Sequence, residues 1–191
     1  MPFIWDATRA RYRDADTKRF VSAKQVADLA QASLEETGKI ASGIQAKELG
    51  TVLRAEIKKE TVRQYLLGRG GVKQMTPRDW GRIGASVAEQ YGYLDDFIKE
   101  ADQLSEAQIA SRVQMYINSA REGFEKGKAE AIKQSGEFTE ERWVMDTSKE
   151  NCSGCQALAA KGWVKIGELG TFPGSGDTPC LTKCGCKIEY R

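Results

Sequence analysis

The sequence predicts a mainly α-helical protein: a helical bundle or long-helix region with an N-terminal arm or hairpin and a small C-terminal cysteine-rich β module. Three observations lead there. Apolar residues recur at three- and four-residue spacing through the middle of the chain, helix-start signals stand at Ser22, Thr76 and Ser105, and all five cysteines fall between residues 152 and 186. The divisions expected are an arm over residues 1–22, a helical region over 23–136 and a zinc-ribbon-like cysteine module over 137–191.

The chain opens with the apolar run Phe3-Ile4-Trp5, and the segment from Arg9 to Val21 then alternates basic residues with others. Asp14, Asp16 and Thr17 are turn formers between Tyr12 and Phe20, so this stretch reads as a small hairpin or an extended arm. Its apolar residues have two readings, packing on the protein's own core or docking on a partner. Ser22 and Gln25 make a capping box, followed by a thin stripe of Val26, Leu29, Ser33, Thr37, Ile40 and Ile44. Glycines at 38, 43 and 50 interrupt it, which predicts one helix to about residue 37 and a second over 45–67 carried by Leu49, Val52, Leu53, Ile57, Val62 and Leu66.

Thr76-Pro77-Arg78-Asp79 places an N-cap, a proline at the first helical position and an acid in the first turn. Trp80, Ile83, Val87, Tyr91, Leu94 and Ile98 then mark one expected core face. A second capping box, Ser105 with Gln108, precedes Ile109, Val113, Tyr116, Ile117, Ala120 and Phe124 and predicts one helix to about residue 134. Glycines at 81, 84, 92, 123 and 127 weaken these helices in isolation and let neighbouring backbones approach. From Gly136 the character changes: residues 142–146 and 187–191 are strand candidates, residues 156–160 a short helix, and 167–179 a loop rich in Gly, Pro and Ser.

Composition bounds the chemistry. Of 191 residues 29% are charged, mean hydropathy is −0.52, and no apolar run approaches the ~20 residues of a membrane span. The net charge of +2 gives no broad field for nucleic acid, so any DNA contact has to be local. There is no histidine, which removes the usual base for Ser or Cys nucleophiles and the usual two-histidine metal site. What remains for Cys152-Ser-Gly-Cys155, Cys180 and Cys184-Gly-Cys186 is a structural role: zinc ligands first, disulfides or unligated thiols otherwise. The odd count speaks against a closed disulfide framework, and the opening residues lack an export-signal pattern. A module this small buries little apolar surface, so a metal crosslink has a physical purpose in it.

Trp143, Asp146, Cys152-x-x-Cys155, Ala157-Leu158-Ala159, Gly162-Trp163, a Gly/Pro loop and Cys184-x-Cys186 running into Ile188-Glu189-Tyr190 resemble the C-terminal module of the Mu F-like minor head proteins of tailed bacteriophages. Tyr12-Arg13-Asp14, Thr17 and Arg19-Phe20-Val21-Ser22 resemble a short motif near the start of phage head-completion proteins. The resemblance implies a virion head protein at the portal vertex or capsid, made in the host cytoplasm, present in multiple copies and acting in head assembly, genome packaging or delivery. Its implied partners are the portal and the major capsid protein, with no membrane. Where that family carries a histidine before its Cys-x-Cys, this chain has Cys180, one residue further away; thiolate can replace imidazole on zinc. The downstream ligand pair is then Cys180 with Cys184, or Cys184 with Cys186.

Two other readings compete. A zinc-ribbon nucleic-acid-binding protein would use Lys183, Lys187 and Arg191 on phosphates. An enzyme would need Glu140 and Glu141 as acid and base, but adjacent acids beside a strand read as a surface turn, and no Gly-rich phosphate loop supports chemistry. The expectation is therefore a protein without catalytic activity.

Overall fold

The computed structural model describes residues 3–6, 11–14, 16–42 and 48–191, and helices dominate them. At the N terminus β1 (Phe3–Asp6), β2 (Arg11–Asp14) and β3 (Phe20–Val21) form an antiparallel sheet in that order. The β2–β3 turn is set by Asp14, whose Oδ1 accepts from the backbone N–H groups of Thr17 at 2.7 Å and Asp16 at 3.1 Å. Tyr12 points inward: it is buried among Val26, Leu67, Phe124 and Ile132, and its hydroxyl donates to the Gly68 carbonyl. This residue of the arm thus belongs to the protein's own core, while residues 9 and 10 and the side chains of Phe3, Ile4 and Trp5 lie outside the described residues. Tyr12→Ala should cost about 3 kcal/mol, the usual scale for emptying a buried aromatic site, and thermal melting would show it.

Helix α1 (Ala23–Ser42) starts at the expected box, with Ser22 N–H donating to Gln25 Oε1 and Gln25 N–H to Ser22 Oγ. Helix α2 (Leu49–Arg69) ends at Gly70, whose φ of 87° closes the last turn as only glycine does cheaply. The expected start near 45 and the stripe position Ile44 lie outside the described residues. Helix α3 (Pro77–Glu100) begins at a complete capping box between Thr76 and Asp79. Leu34, Leu49, Leu53, Ile57, Leu94, Phe97, Val113 and Ile117 from α1, α2, α3 and α4 (Glu106–Ser119) make the main core.

Two expectations fail here for identifiable reasons. Trp80 is not a core residue but 44% exposed. The inward face of α3 runs Asp79, Ile83, Val87, Leu94, Phe97, so its first position is taken by a buried aspartate that pairs with Arg69 at 3.2 Å and accepts from Tyr65 at 2.7 Å. Ile83→Asp should therefore destabilise the protein by several kcal/mol, on the scale of an unpaired buried charge, whereas Trp80→Ser should leave the melting temperature unchanged. The single helix expected to reach 134 is in fact two, α4 and α5 (Arg121–Ser135). Around Ala120 the backbone tightens to three-residue bonds, Ala120 to Ile117 and Gly123 to Ala120, and Ser119 Oγ bonds back to the Tyr116 carbonyl.

Helices α2 and α5 lie closest, backbone against backbone. A Cβ on Gly127 would sit 2.5 Å from the Tyr65 carbonyl oxygen and 2.9 Å from the Arg69 nitrogen, and one on Gly68 would meet the Phe124 carbonyl and the Lys128 nitrogen. Gly123 and Gly127 thus permit the close approach expected of them, while Gly81, Gly84 and Gly92 face open space. Beside this crossing α1 and α2 are joined by buried polar groups. Glu60, fully buried, accepts from Ser33 Oγ at 2.7 Å, Thr37 Oγ1 at 3.2 Å and Gln64 Nε2 at 2.7 Å.

The C-terminal module is a three-stranded antiparallel sheet, β5 (Val164–Lys165), β4 (Glu140–Val144) and β6 (Lys187–Tyr190) in that spatial order, with α6 (Ser153–Ala160) between β4 and β5 in the chain. The two long strands are those the sequence marks, in a register that sets Trp143 opposite Ile188, both buried. Two-residue β5 is too short to announce itself. Glu140 and Glu141 are not a surface turn but strand residues: Glu140 pairs with Arg191 at 2.7 Å, and buried Glu141 accepts from the N–H groups of Gly167 at 2.8 Å and Leu169 at 3.1 Å, pinning the following loop. The guanidinium groups of Arg142 and Arg191 both stack on Trp163, 4.6 and 4.4 Å from its ring centroid.

Candidate metal centre

The cysteines converge because three chain segments are brought to one end of the sheet. Cys152 is the N-cap of α6, and its Sγ accepts from the Cys155 N–H at 3.5 Å. Cys155, one turn in, is 1% exposed and faces Trp143, Leu169 and Ile188. Cys180 arrives on the Thr178-Pro179 segment, which packs directly on Gly154: a Cβ there would lie 2.8 Å from Pro179 Cδ and 3.2 Å from Thr178 Cβ. The small residue inside the C-x-x-C is thus required by that neighbouring segment, since Gly154 itself is helical. Cys184 and Cys186, both buried, precede β6, and the glycine between them leaves space for Asp146 and Lys149.

All five sulfurs named by the sequence are gathered, as two overlapping triads that share Cys155. Cys152, Cys155 and Cys180 lie within 4.8 Å of one another, and so do Cys155, Cys184 and Cys186. Cys155 Sγ is 3.7 Å from Cys180 Sγ and 3.6 Å from Cys184 Sγ. A tetrahedron with sulfur about 2.3 Å from its centre has edges of about 3.8 Å, close to the two separations at Cys155; the sulfurs stand as triads, so a fourth ligand has to draw in from the other triad. The five cysteines are unbridged, and the cluster can hold a metal ion.

Electrostatics point the same way. Burial, with Cys152, Cys186 and Cys184 crowded around it, drives the Cys155 thiol far above its ordinary value. Burial pushes Cys184 up to about 11, against the lowering effect of N–H donation from Cys186. Cys152 goes the other way, down to about 7, because N–H donation from Cys155 together with donation from Cys180 outweighs the effect of burial. Cys155 and Cys184, whose ionisation burial opposes, become thiolates once a cation supplies the opposite charge.

Three residues around the cluster carry no motif of their own. Asn151 accepts from the Cys186 thiol at 3.4 Å and donates to the Asp146 carbonyl at 2.7 Å, closing the turn before the first pair. Thr178 Oγ1 lies 3.2 Å from Cys180 Sγ. Arg121, in a helix far off in sequence, holds the carbonyls of Cys184 and Cys186. Only Asn151, seven residues after the end of β4 and one before a cysteine, offers a local turn signal; the other two are visible only in three dimensions. Set beside known proteins, the chain matches no family model, no curated protein and no solved structure.

Proposed function

We propose that this is a structural, non-catalytic head protein of a tailed bacteriophage whose C-terminal module is stapled by one zinc ion. One observation carries the reading. Most of the residues that carry the resemblance to the Mu F-like minor head proteins surround the cysteine centre: Trp143 and Ile188 share its core, Asp146 packs against Gly185, and Cys152, Cys155, Cys184 and Cys186 converge, with Cys180 joining them where that family has a histidine. Zinc is favoured because an all-sulfur set in a small module, with Cys155 at tetrahedral-edge distance from Cys180 and Cys184, suits a closed structural site. The portal and the major capsid protein are the partners, the head of the virion is the location, and several copies act per particle.

Absence of catalysis is supported by the positions of the candidate acids, since Glu140 and Glu141 are committed to Arg191 and to two loop N–H groups. The nucleic-acid reading is weakened by the same kind of commitment. Lys187 pairs with Glu189 at 2.9 Å and Arg191 with Glu140, leaving exposed Lys183 as the most available of the three cations once proposed for phosphate. Cryo-EM of phage particles carrying this gene tests the proposal. Density for the chain at the portal vertex or inner capsid is the expected result, and intact, infectious particles lacking the chain would overturn it.

A further inference from the structure

The helical region grips the cysteine module along one edge. Arg121, the first residue of α5, donates through Nη1 to the Cys184 carbonyl and through Nη2 to the Cys186 carbonyl, the latter at 2.7 Å. Two turns further on the same helix face, Lys128 Nζ donates to the Ile188 carbonyl at 2.7 Å. Strand β6 is an edge of its sheet. Glu140 and Arg191 exchange backbone hydrogen bonds, so by alternation the Ile188 carbonyl faces away from β4, and the cations of α5 occupy the open side.

The Cys184-Gly185-Cys186 turn is therefore held from two flanks. Arg121 grips its carbonyls on one, while on the other a Cβ at Gly185 would collide with Asp146 Oδ2 and approach Lys149 Nζ to 2.7 Å. The stem of Arg121 is itself backed by the loop at Gly174, where a Cβ would lie 3.5 Å from Arg121 Cβ. Four thiolates around one divalent ion leave a net charge of about −2, and a guanidinium on the backbone of two of the cysteines offsets part of it.

Resting on the zinc reading above, we infer that Arg121 is a positioning residue for the metal: it presets the Cys-x-Cys arm before the ion binds and steadies the charged cluster afterwards. Lys128 supplies the internal control, because it binds the same strand beyond the last cysteine.

The test is zinc affinity of the full chain by competition with a chromophoric chelator, with the cobalt(II) spectrum as a readout of thiolate coordination. R121A should bind zinc about 10- to 100-fold more weakly, the usual effect of removing a group that orients ligands. R121K, which keeps the charge but loses the fork, should fall between R121A and the parent. K128A should melt at lower temperature with its zinc affinity unchanged. Parent affinity in R121A, or equal weakening in K128A and R121A, would overturn the inference; if R121A does not fold, parent affinity in folded R121K does so. A parent chain that binds neither zinc nor cobalt removes the metal reading itself, a different failure from a parent that binds while R121A binds as well.

Discussion

Cys155→Ser should abolish the zinc binding proposed for the cysteine cluster and unfold the C-terminal module. Cys155 is common to both sulfur triads, is almost wholly buried and has other cysteines around it. A serine hydroxyl in its place is a poor ligand for zinc and leaves a polar atom against Trp143, Leu169 and Ile188. Structural zinc in small domains contributes on the order of 10 kcal/mol to local folding, so the loss exceeds what this module's small core can absorb. Elemental analysis should fall from about one zinc per chain to none, and tryptophan fluorescence should shift red as Trp143 meets water. Helical ellipticity should fall little, since the module contributes one helix of 8 residues. The remaining helices should nevertheless melt earlier, because Tyr190, Phe138 and Ile166 pack with Tyr12, Leu67 and Phe124 in a shared cluster. Retained zinc in Cys155→Ser would show that the quartet does not include the shared sulfur. Cys152→Ser and Cys186→Ser, each of which leaves one triad whole, should weaken binding less.

Gly127→Val is the second change expected to be severe, and it touches no metal ligand. At the α2–α5 crossing the nearest atoms to a new Cβ are the Tyr65 carbonyl oxygen and the Arg69 nitrogen, both backbone, so no side chain can turn aside. The helices must separate, and with them go the contacts of Leu67 and Phe124 and the Arg69 bridge to Gln134 at 2.8 Å. A loss of several kcal/mol, visible as a large drop in urea midpoint, is the expected outcome. Gly84→Val, equally helical but facing open space, should leave the midpoint unchanged or raise it slightly, since valine is the better helix former of the two. Equal midpoints for Gly127→Val and the parent would refute the close crossing.

How far the sequence could be read follows from what each signal measures. Caps are local, and those at Ser22, Thr76 and Ser105 all stand where their side chains bond. The paired strands around Trp143 and Ile188 were legible because alternation and β-branching are local too. Apolar periodicity misled where a polar group held the inward place: Asp79 displaced Trp80, and the thin stripe of the first helix is thin because Ser33 and Thr37 face Glu60. The helix break at Ala120 left no mark, since Ala120 itself keeps helical angles of −62° and −19°. For the cysteine cluster, sequence clustering named all five sulfurs, but the way they share Cys155 depends on contacts 25 and 29 residues apart, and the reach of Arg121 to Cys184 on one spanning 63.

Buried Glu60 bears on how the chain finds its fold. Its two carboxylate oxygens take up hydroxyls from Ser33 and Thr37, which sit one helical turn apart on α1. If α1 slid by a turn along α2 in one direction, Leu29 would come to the place of Ser33, and in the other Thr37 would give way to Ala41. The second slip leaves Glu60 Oε2 without its hydroxyl donor, and the first takes from Oε1 one of its two donors, Gln64 remaining. The carboxylate therefore acts as a vernier: weakly stabilising when aligned, strongly penalising when not, it lets a bundle with a thin apolar stripe reject its own near-misses.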